Sequence, residues 1–158
     1  MEWLLWLSAT PLAGALKQSG TLYMLVSAGH ILSIGLIVGA ILPLDLRLLG
    51  LFQGYPATVL APFLSRAAAA GVALAVLTGI CLFSVRPVEY AANPAFLTKI
   101  ALLILGIANA ALLHAGPHWP GLRADGTVTP AIRAFALVSI CIWIGAVLAG
   151  RWIAFVAE

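Results

Sequence analysis

Residues 18–44 read QSGTLYMLVSAGHILSIGLIVGAILPL, a run that contains no Asp, Glu, Lys or Arg. A helix of about 20 mostly apolar residues is long enough to cross the hydrocarbon core of a bilayer. Asp45 and Arg47 follow the run and mark its end. The pattern therefore predicts a transmembrane helix over about residues 20–44.

Three more apolar runs follow, separated by stretches rich in proline, glycine and charged side chains. They predict transmembrane helices over about residues 62–85, 96–115 and 131–156. Of the 158 residues, 63% are apolar and 8% are charged, whereas soluble domains average roughly 25% charged residues. We therefore expect an all-α integral membrane protein in which residues 1–158 form one domain, an antiparallel bundle of four transmembrane helices. This leaves no room for a separate soluble catalytic module.

The segment from Met1 to Lys17 precedes the first span and contains Trp3 and Trp6. Glu2 stands where a secretory signal would carry positive charge, so the segment predicts a retained helix that lies in the membrane interface. Pro11 is expected to break or kink that helix.

The segment from Trp119 to Thr129 contains proline, glycine and aspartate and predicts a loop between the third and fourth spans. Basic residues are scattered singly, mostly at the ends of apolar runs, which is typical of interface anchors and argues against a nucleic-acid partner. Their distribution leaves the orientation open, because four lie on each face: Lys17, Arg86, Lys99 and Arg151 against Arg47, Arg66, Arg123 and Arg133.

Small residues recur at four-residue spacing in all four spans. Such pairs let helix backbones approach each other in lipid, so they predict closely packed helices. The pairs are Gly35 with Gly39, Ala67 with Gly71, Ala75 with Gly79, Gly106 with Ala110, and Gly145 with Ala149.

His30 lies near the centre of the first predicted span, where an ionisable side chain is costly and is a candidate functional residue. Glycine beside it leaves space for a flat or bulky group. The structural alternative is a neutral imidazole that bonds to a backbone carbonyl or a serine on a neighbouring helix. By their depth in the second and third spans, Thr78 and Asn109 are its expected polar neighbours, either as support for a bound cofactor or as bonding partners in a plain bundle.

His114 and His118 have the four-residue spacing of two metal ligands on one helix face. Pro117 disfavours helical geometry just before it, so the helix is expected to end between them. A solvated pair at the membrane interface is the alternative. His114 also lies roughly 10 Å beyond the middle of its span, which makes joint ligation of one cofactor with His30 difficult.

Charged residues near the span ends offer further candidates. Asp45, Arg47 and Arg66 are expected to form a salt-bridged corner with a structural role. Lys99 and Arg151 are either headgroup anchors or partners for the carboxylates of an anionic ligand such as a porphyrin.

Several segments resemble an uncharacterised family of bacterial four-helix membrane proteins, which implies location in the bacterial inner membrane. The segments are HILSIGLIVG (30–39), LDLRLLG (44–50), AANPAFLTK (91–99), NAALLH (109–114) and GRWIAF (150–155).

The chain is more distantly similar to the membrane protoporphyrinogen oxidase family, whose members bind haem b, and to the membrane domain of the copper resistance D family. In the former, a histidine precedes a glycine-containing run and an Arg-Leu segment, as His30 precedes Gly35 and Arg47. A lysine also opens a later helix that ends in a histidine, like Lys99 and His114. Aromatic positions that usually follow the first histidine are aliphatic here, so the resemblance implies haem binding through His30 and leaves catalysis open.

The leading hypothesis is a membrane b-type haem protein with a role in electron transfer or membrane redox chemistry, in which His30 is an axial ligand. The alternatives are a copper-binding or copper-transport domain, in which His114, His118 and Asp45 gather metal, and an accessory subunit without a cofactor. Expected partners are the lipid bilayer and either a second copy or a redox partner protein.

Overall fold

The computed structural model describes residues 2–155, and secondary structure in that range is helical throughout. A short 3-10 turn, Ile153–Phe155, follows the last α-helix. The α-helices are α1 (Glu2–Ser8), α2 (Pro11–Gln18), α3 (Gly20–Leu48), α4 (Ala57–Val85), α5 (Pro87–Ala92), α6 (Pro94–Ala115), α7 (His118–Ala124) and α8 (Pro130–Trp152).

Four of these helices, α3, α4, α6 and α8, are long and apolar enough to cross a membrane. They correspond to the four predicted spans, but α3 continues beyond residue 44 to Leu48, and α4 begins at Ala57 rather than at 62. The reason is that backbone hydrogen bonding continues the helix where the apolar run has ended. Because α3 is longer than predicted, its middle falls at Ile34, and His30 lies about one turn nearer its start.

Side-chain caps fix where α6 and α8 begin. The Asn93 carboxamide accepts hydrogen bonds from the backbone N–H groups of Ala95 and Phe96, and the Thr129 hydroxyl accepts one from Ile132. In both helices a proline follows the cap, at a position where its missing N–H costs nothing.

The connections contain two short helices, α5 and α7, in segments that showed no helical pattern. α7 occupies the first part of the loop that was predicted from Trp119 to Thr129, and no helix covers residues 125–129. Trp119 and Leu122 are buried on it, and their spacing of three residues places them on one helix face. Burial of this apolar face therefore stabilises a helix in spite of Pro120 and Gly121.

The long helices pack as two pairs. α3 packs most extensively against α4, and α6 against α8, while the pairs meet where α3 contacts α8. Within residues 2–155, α6 makes no comparable contact with α3 or α4. An aromatic stack still joins α4 to α6, since the rings of Phe83 and Phe96 lie 5.4 Å apart and nearly parallel.

A buried cluster, called the end cluster below, joins the last turns of α3 to the first turns of α4 and α8. α7 completes it. Its members are Leu44, Leu48, Ala57, Ala61, Trp119, Leu122, Ile132 and Ala136.

The N-terminal segment forms two helices, and the chain breaks just before Pro11, as that proline predicted. α2 packs against α3 and α4 and buries Ala13 and Leu16. α1 packs against α4 and α5 and leaves Trp3 and Trp6 mostly exposed.

Candidate functional site

The His30 side chain reaches from α3 to α4. Its Nδ1 atom lies 2.9 Å from the hydroxyl oxygen of Thr78, so the predicted neighbour is a direct hydrogen-bonding partner. Gly79 of α4 packs against the His30 imidazole, because a Cβ atom at position 79 would stand 3.3 Å from Cε1 of the ring. The absent side chain at 79 leaves the space that the imidazole occupies.

The Thr78 hydroxyl defines the tautomer of His30. It has one proton, which it donates to the Leu74 carbonyl oxygen at 2.7 Å, and a hydroxyl without a second proton can only accept from the imidazole. With the hydroxyl proton placed on the bond to Leu74, Nδ1 is the protonated nitrogen of the neutral ring and donates its hydrogen to Thr78. Nε2 is left with a free lone pair, which is the state in which an imidazole binds a metal ion.

Lys99 on α6 lies within electrostatic range of His30. Its aliphatic chain and ammonium group pack against Gly150 of α8, where a Cβ atom would stand 3.4 Å from Cδ. The neighbouring Arg151 guanidinium lies over the Phe155 ring at 5.4 Å. Two basic side chains are thus found near the start of α6 and the end of α8.

An open apolar groove of about 300 Å³ lies beside the histidine contact and shares Thr78 with it. It runs between α3 and α4 and is lined by Gly29, Leu32, Ser33, Leu36, Leu74 and Thr78. Aliphatic side chains therefore border one side of the His30 pair.

Asn109 is not a neighbour of His30, contrary to the prediction from its depth. Its amide donates to the carbonyl oxygen of Phe135 at 3.1 Å and links α6 to α8. Since α6 packs on α8 and not closely on α3, this carboxamide faces the wrong helix for contact with the imidazole.

His114 and His118 belong to different helices. α6 ends at Ala115, as Pro117 predicted, and His118 begins α7. Nδ1 of His114 lies 2.6 Å from the Ala110 carbonyl oxygen, and the ring packs 3.9 Å from that of Trp119. The two imidazoles therefore do not share one helix face.

His114 also lies far from His30. The ring of His114 packs against Trp119, which belongs to the same end cluster as Leu44. Leu44 lies roughly 20 Å from His30 along the axis of α3, at a rise of 1.5 Å per residue. The two histidines therefore cannot ligate one iron atom.

The expected salt-bridged corner at the end of α3 is not formed. Arg47 donates instead to the carbonyl oxygen of Tyr55 at 2.7 Å. Asp45 is 5% exposed, and the Ser139 hydroxyl of α8 faces its carboxyl group. Between residues 2 and 155, the one ion pair joins Arg86 to Glu89. The sequence did not predict the burial of Asp45, because the neighbouring Arg47 and Arg66 indicated a charged and solvent-exposed corner.

Metal ligation by three side chains finds no support in the part of the chain that the structure describes. No group of three His, Cys, Asp or Glu residues is close enough there to hold an ion. His114, His118 and Asp45 are thus not brought together as a metal site.

Comparison with known proteins adds the family of the chain but no activity. No curated protein and no solved structure matches it. One family model does match, over residues 3–156, and its description reads family of unknown function (DUF6644). The match extends over nearly the whole sequence, and the chain belongs to that family.

Proposed function

We propose that the protein is a membrane b-type haem protein in which the Nε2 atom of His30 is an axial ligand, with a role in electron transfer or membrane redox chemistry. The observation that carries the proposal is the hydrogen-bond chain from Nδ1 of His30 through Thr78 to Leu74. Ligating histidines typically donate their second ring N–H to a neighbouring acceptor, which orients the ring and makes the other nitrogen a better ligand.

The surroundings of His30 suit the chemistry of a porphyrin. Gly79 allows the ring to lie against α4, and apolar side chains line the adjacent groove. Lys99 offers a positive charge in range of the histidine for an anionic substituent, and Arg151 lies one residue beyond the glycine on which Lys99 packs. When bound, haem supplies one-electron chemistry, while these residues orient the imidazole, keep water out and attract the propionates.

The proposal also includes the topology and the location of the protein. The four spans cross the bilayer in alternating directions, α1 lies in the membrane interface, and the membrane is the bacterial inner membrane. Short connections and the end cluster support the antiparallel order. Exposed Trp3 and Trp6 support the interfacial helix, because tryptophan favours the headgroup region. A second copy or a redox protein is the proposed partner for electron exchange.

The copper hypothesis lacks a comparable arrangement, since Nδ1 of His114 is occupied by Ala110 and Asp45 faces α8. An accessory subunit without a cofactor remains the rival. In that case the contact between His30 and Thr78 would be only an interhelical hydrogen bond.

Absorption spectroscopy tests the proposal. Protein purified with haem supplied should show a Soret band that shifts on reduction. His30→Ala should lose the band and still insert, because insertion depends on the hydrophobicity of the whole run. His114→Ala is the matched control and should keep the full band, since His114 packs against Trp119. A wild-type protein without Soret absorption, or a full band in His30→Ala, would refute haem ligation by His30.

A further inference from the structure

The Asp45 carboxyl group is buried without a counter-charge. The residue is 5% exposed, and its Oδ2 atom is buried and has no hydrogen-bond partner. Leu44 and Leu48 of the end cluster flank it along α3. An ionised carboxylate is strongly disfavoured in apolar surroundings unless a cation or several hydrogen bonds compensate it.

The helices around Asp45 carry other charged and titratable groups, but none of them neutralises it. Between residues 2 and 155 the only ion pair lies elsewhere, between Arg86 and Glu89. Arg47 on α3 is held by the Tyr55 carbonyl oxygen. Toward the same end of the bundle, Arg66 on α4, Arg123 on α7 and Arg133 on α8 are all exposed, and His118 on α7 is half-buried. His30 on α3 and Arg151 on α8 lie at other levels of their helices.

We propose that Asp45 is a proton-binding site that carries a proton at neutral pH and exchanges it at the end of α3. The Ser139 hydroxyl faces the carboxyl group from α8, but a single hydrogen bond does not compensate an ionised carboxylate in apolar surroundings. A proton neutralises the group without further ligands. A metal cation would need several ligands, and among the described residues no group of three His, Cys, Asp or Glu side chains lies here to supply them. The site does not depend on haem binding at His30, which lies at a different level of α3.

Infrared spectroscopy of the purified protein tests this site directly. The wild-type protein at neutral pH should show the carbonyl stretch of a protonated carboxylic acid, at a lower frequency in D₂O and absent at high pH. The assignment is simple because the chain has only five acidic side chains. Asp45→Asn should remove the band.

Asp125→Asn is the matched control and should leave the band unchanged. Asp125 is exposed, and hydrogen bonds from the side chain and backbone of Thr127 hold the pKa of its carboxyl below the usual range. It is therefore ionised at neutral pH and makes no contribution to the band.

Three results would overturn the proposal. The first is a wild-type spectrum at neutral pH without the acid band, which needs no variant and so does not depend on the folding of Asp45→Asn. The second is a band that survives in Asp45→Asn. The third is an acid band that disappears in sodium chloride but not in choline chloride, because the ion bound by the Asp45 carboxyl group would then be sodium.

Discussion

At the residue scale, Thr78 decides which nitrogen of His30 is free. Thr78→Val keeps the shape of the side chain but removes the acceptor for Nδ1–H. We expect haem affinity to fall by about 10- to 100-fold, the usual loss when an outer-shell partner of a ligating histidine is removed. Titration of the apoprotein with haem, followed at the Soret band, measures the change.

Thr98→Val provides the control for that substitution. Thr98 bonds to the carbonyl oxygen of Pro94 four residues earlier in α6, just as Thr78 bonds to Leu74, but it makes no hydrogen bond to a histidine. Equal haem affinity in the two variants would show that Thr78 has no orienting role.

The sequence identified part of this site and not the rest. Depth in the membrane was enough to pair Thr78 with His30, because residues at one level of two adjacent spans can meet. Depth was not enough for Asn109, whose partner depends on which helices are neighbours and how each is rotated. Those two quantities are set by packing between helices and leave no local pattern in the sequence.

At the scale of helices, the contact between α3 and α4 depends on Gly71. A Cβ atom at 71 would stand 2.9 Å from Cγ1 of Ile37 and 3.2 Å from the Ser33 carbonyl oxygen. Backbone atoms cannot move aside cheaply, so Gly71→Ala should destabilise the protein by about 1–3 kcal/mol. Unfolding of the protein in mixed detergent micelles measures this loss.

Gly35→Ala is the matched control, because a Cβ atom at 35 would have nothing within 4 Å. Its stability should equal the wild-type value or exceed it by up to about 1 kcal/mol, because alanine is favoured over glycine inside a helix. A loss equal to that of Gly71→Ala would mean that α3 and α4 do not meet in this register.

The glycines of the four spans show which helix contacts a spacing pattern in the sequence can predict. Spacing predicted contacts for six glycines. A Cβ atom would meet a neighbouring helix at Gly71, Gly79, Gly106 and Gly145, but it would have nothing within 4 Å at Gly35 or Gly39. Four-residue spacing places small residues on one face, but whether that face meets a helix or lipid depends on the order of the helices. The number and type of long helices could be predicted because hydropathy and length determine them.

At the scale of the whole molecule, two sets of contacts group the helix ends. The end cluster gathers the last turns of α3 and the first turns of α4 and α8. A second set includes the Phe83 and Phe96 stack and the hydrogen bond from Asn93 to the carbonyl oxygen of Ile153. The spans α3, α4 and α8 each contain more than the roughly 20 residues needed to cross the hydrocarbon core. These lengths and groupings fit the antiparallel order of spans proposed above.

This grouping predicts which connections share a side of the membrane. In a chain with Cys81 and Cys141 replaced by alanine, single cysteines at Glu2 and Val88 should react with an impermeant reagent from one side. Cysteines at Gln53 and Ala124 should react only from the other side, because one span separates each connection from the next. All four residues are exposed, which makes them accessible to the reagent.

The experiment also identifies the cytoplasmic side, which four basic residues on each face cannot do. If cysteines at Gln53 and Val88 reacted from the same side, α4 would not cross the bilayer between them. That result would refute the proposed antiparallel pairing of α3 with α4.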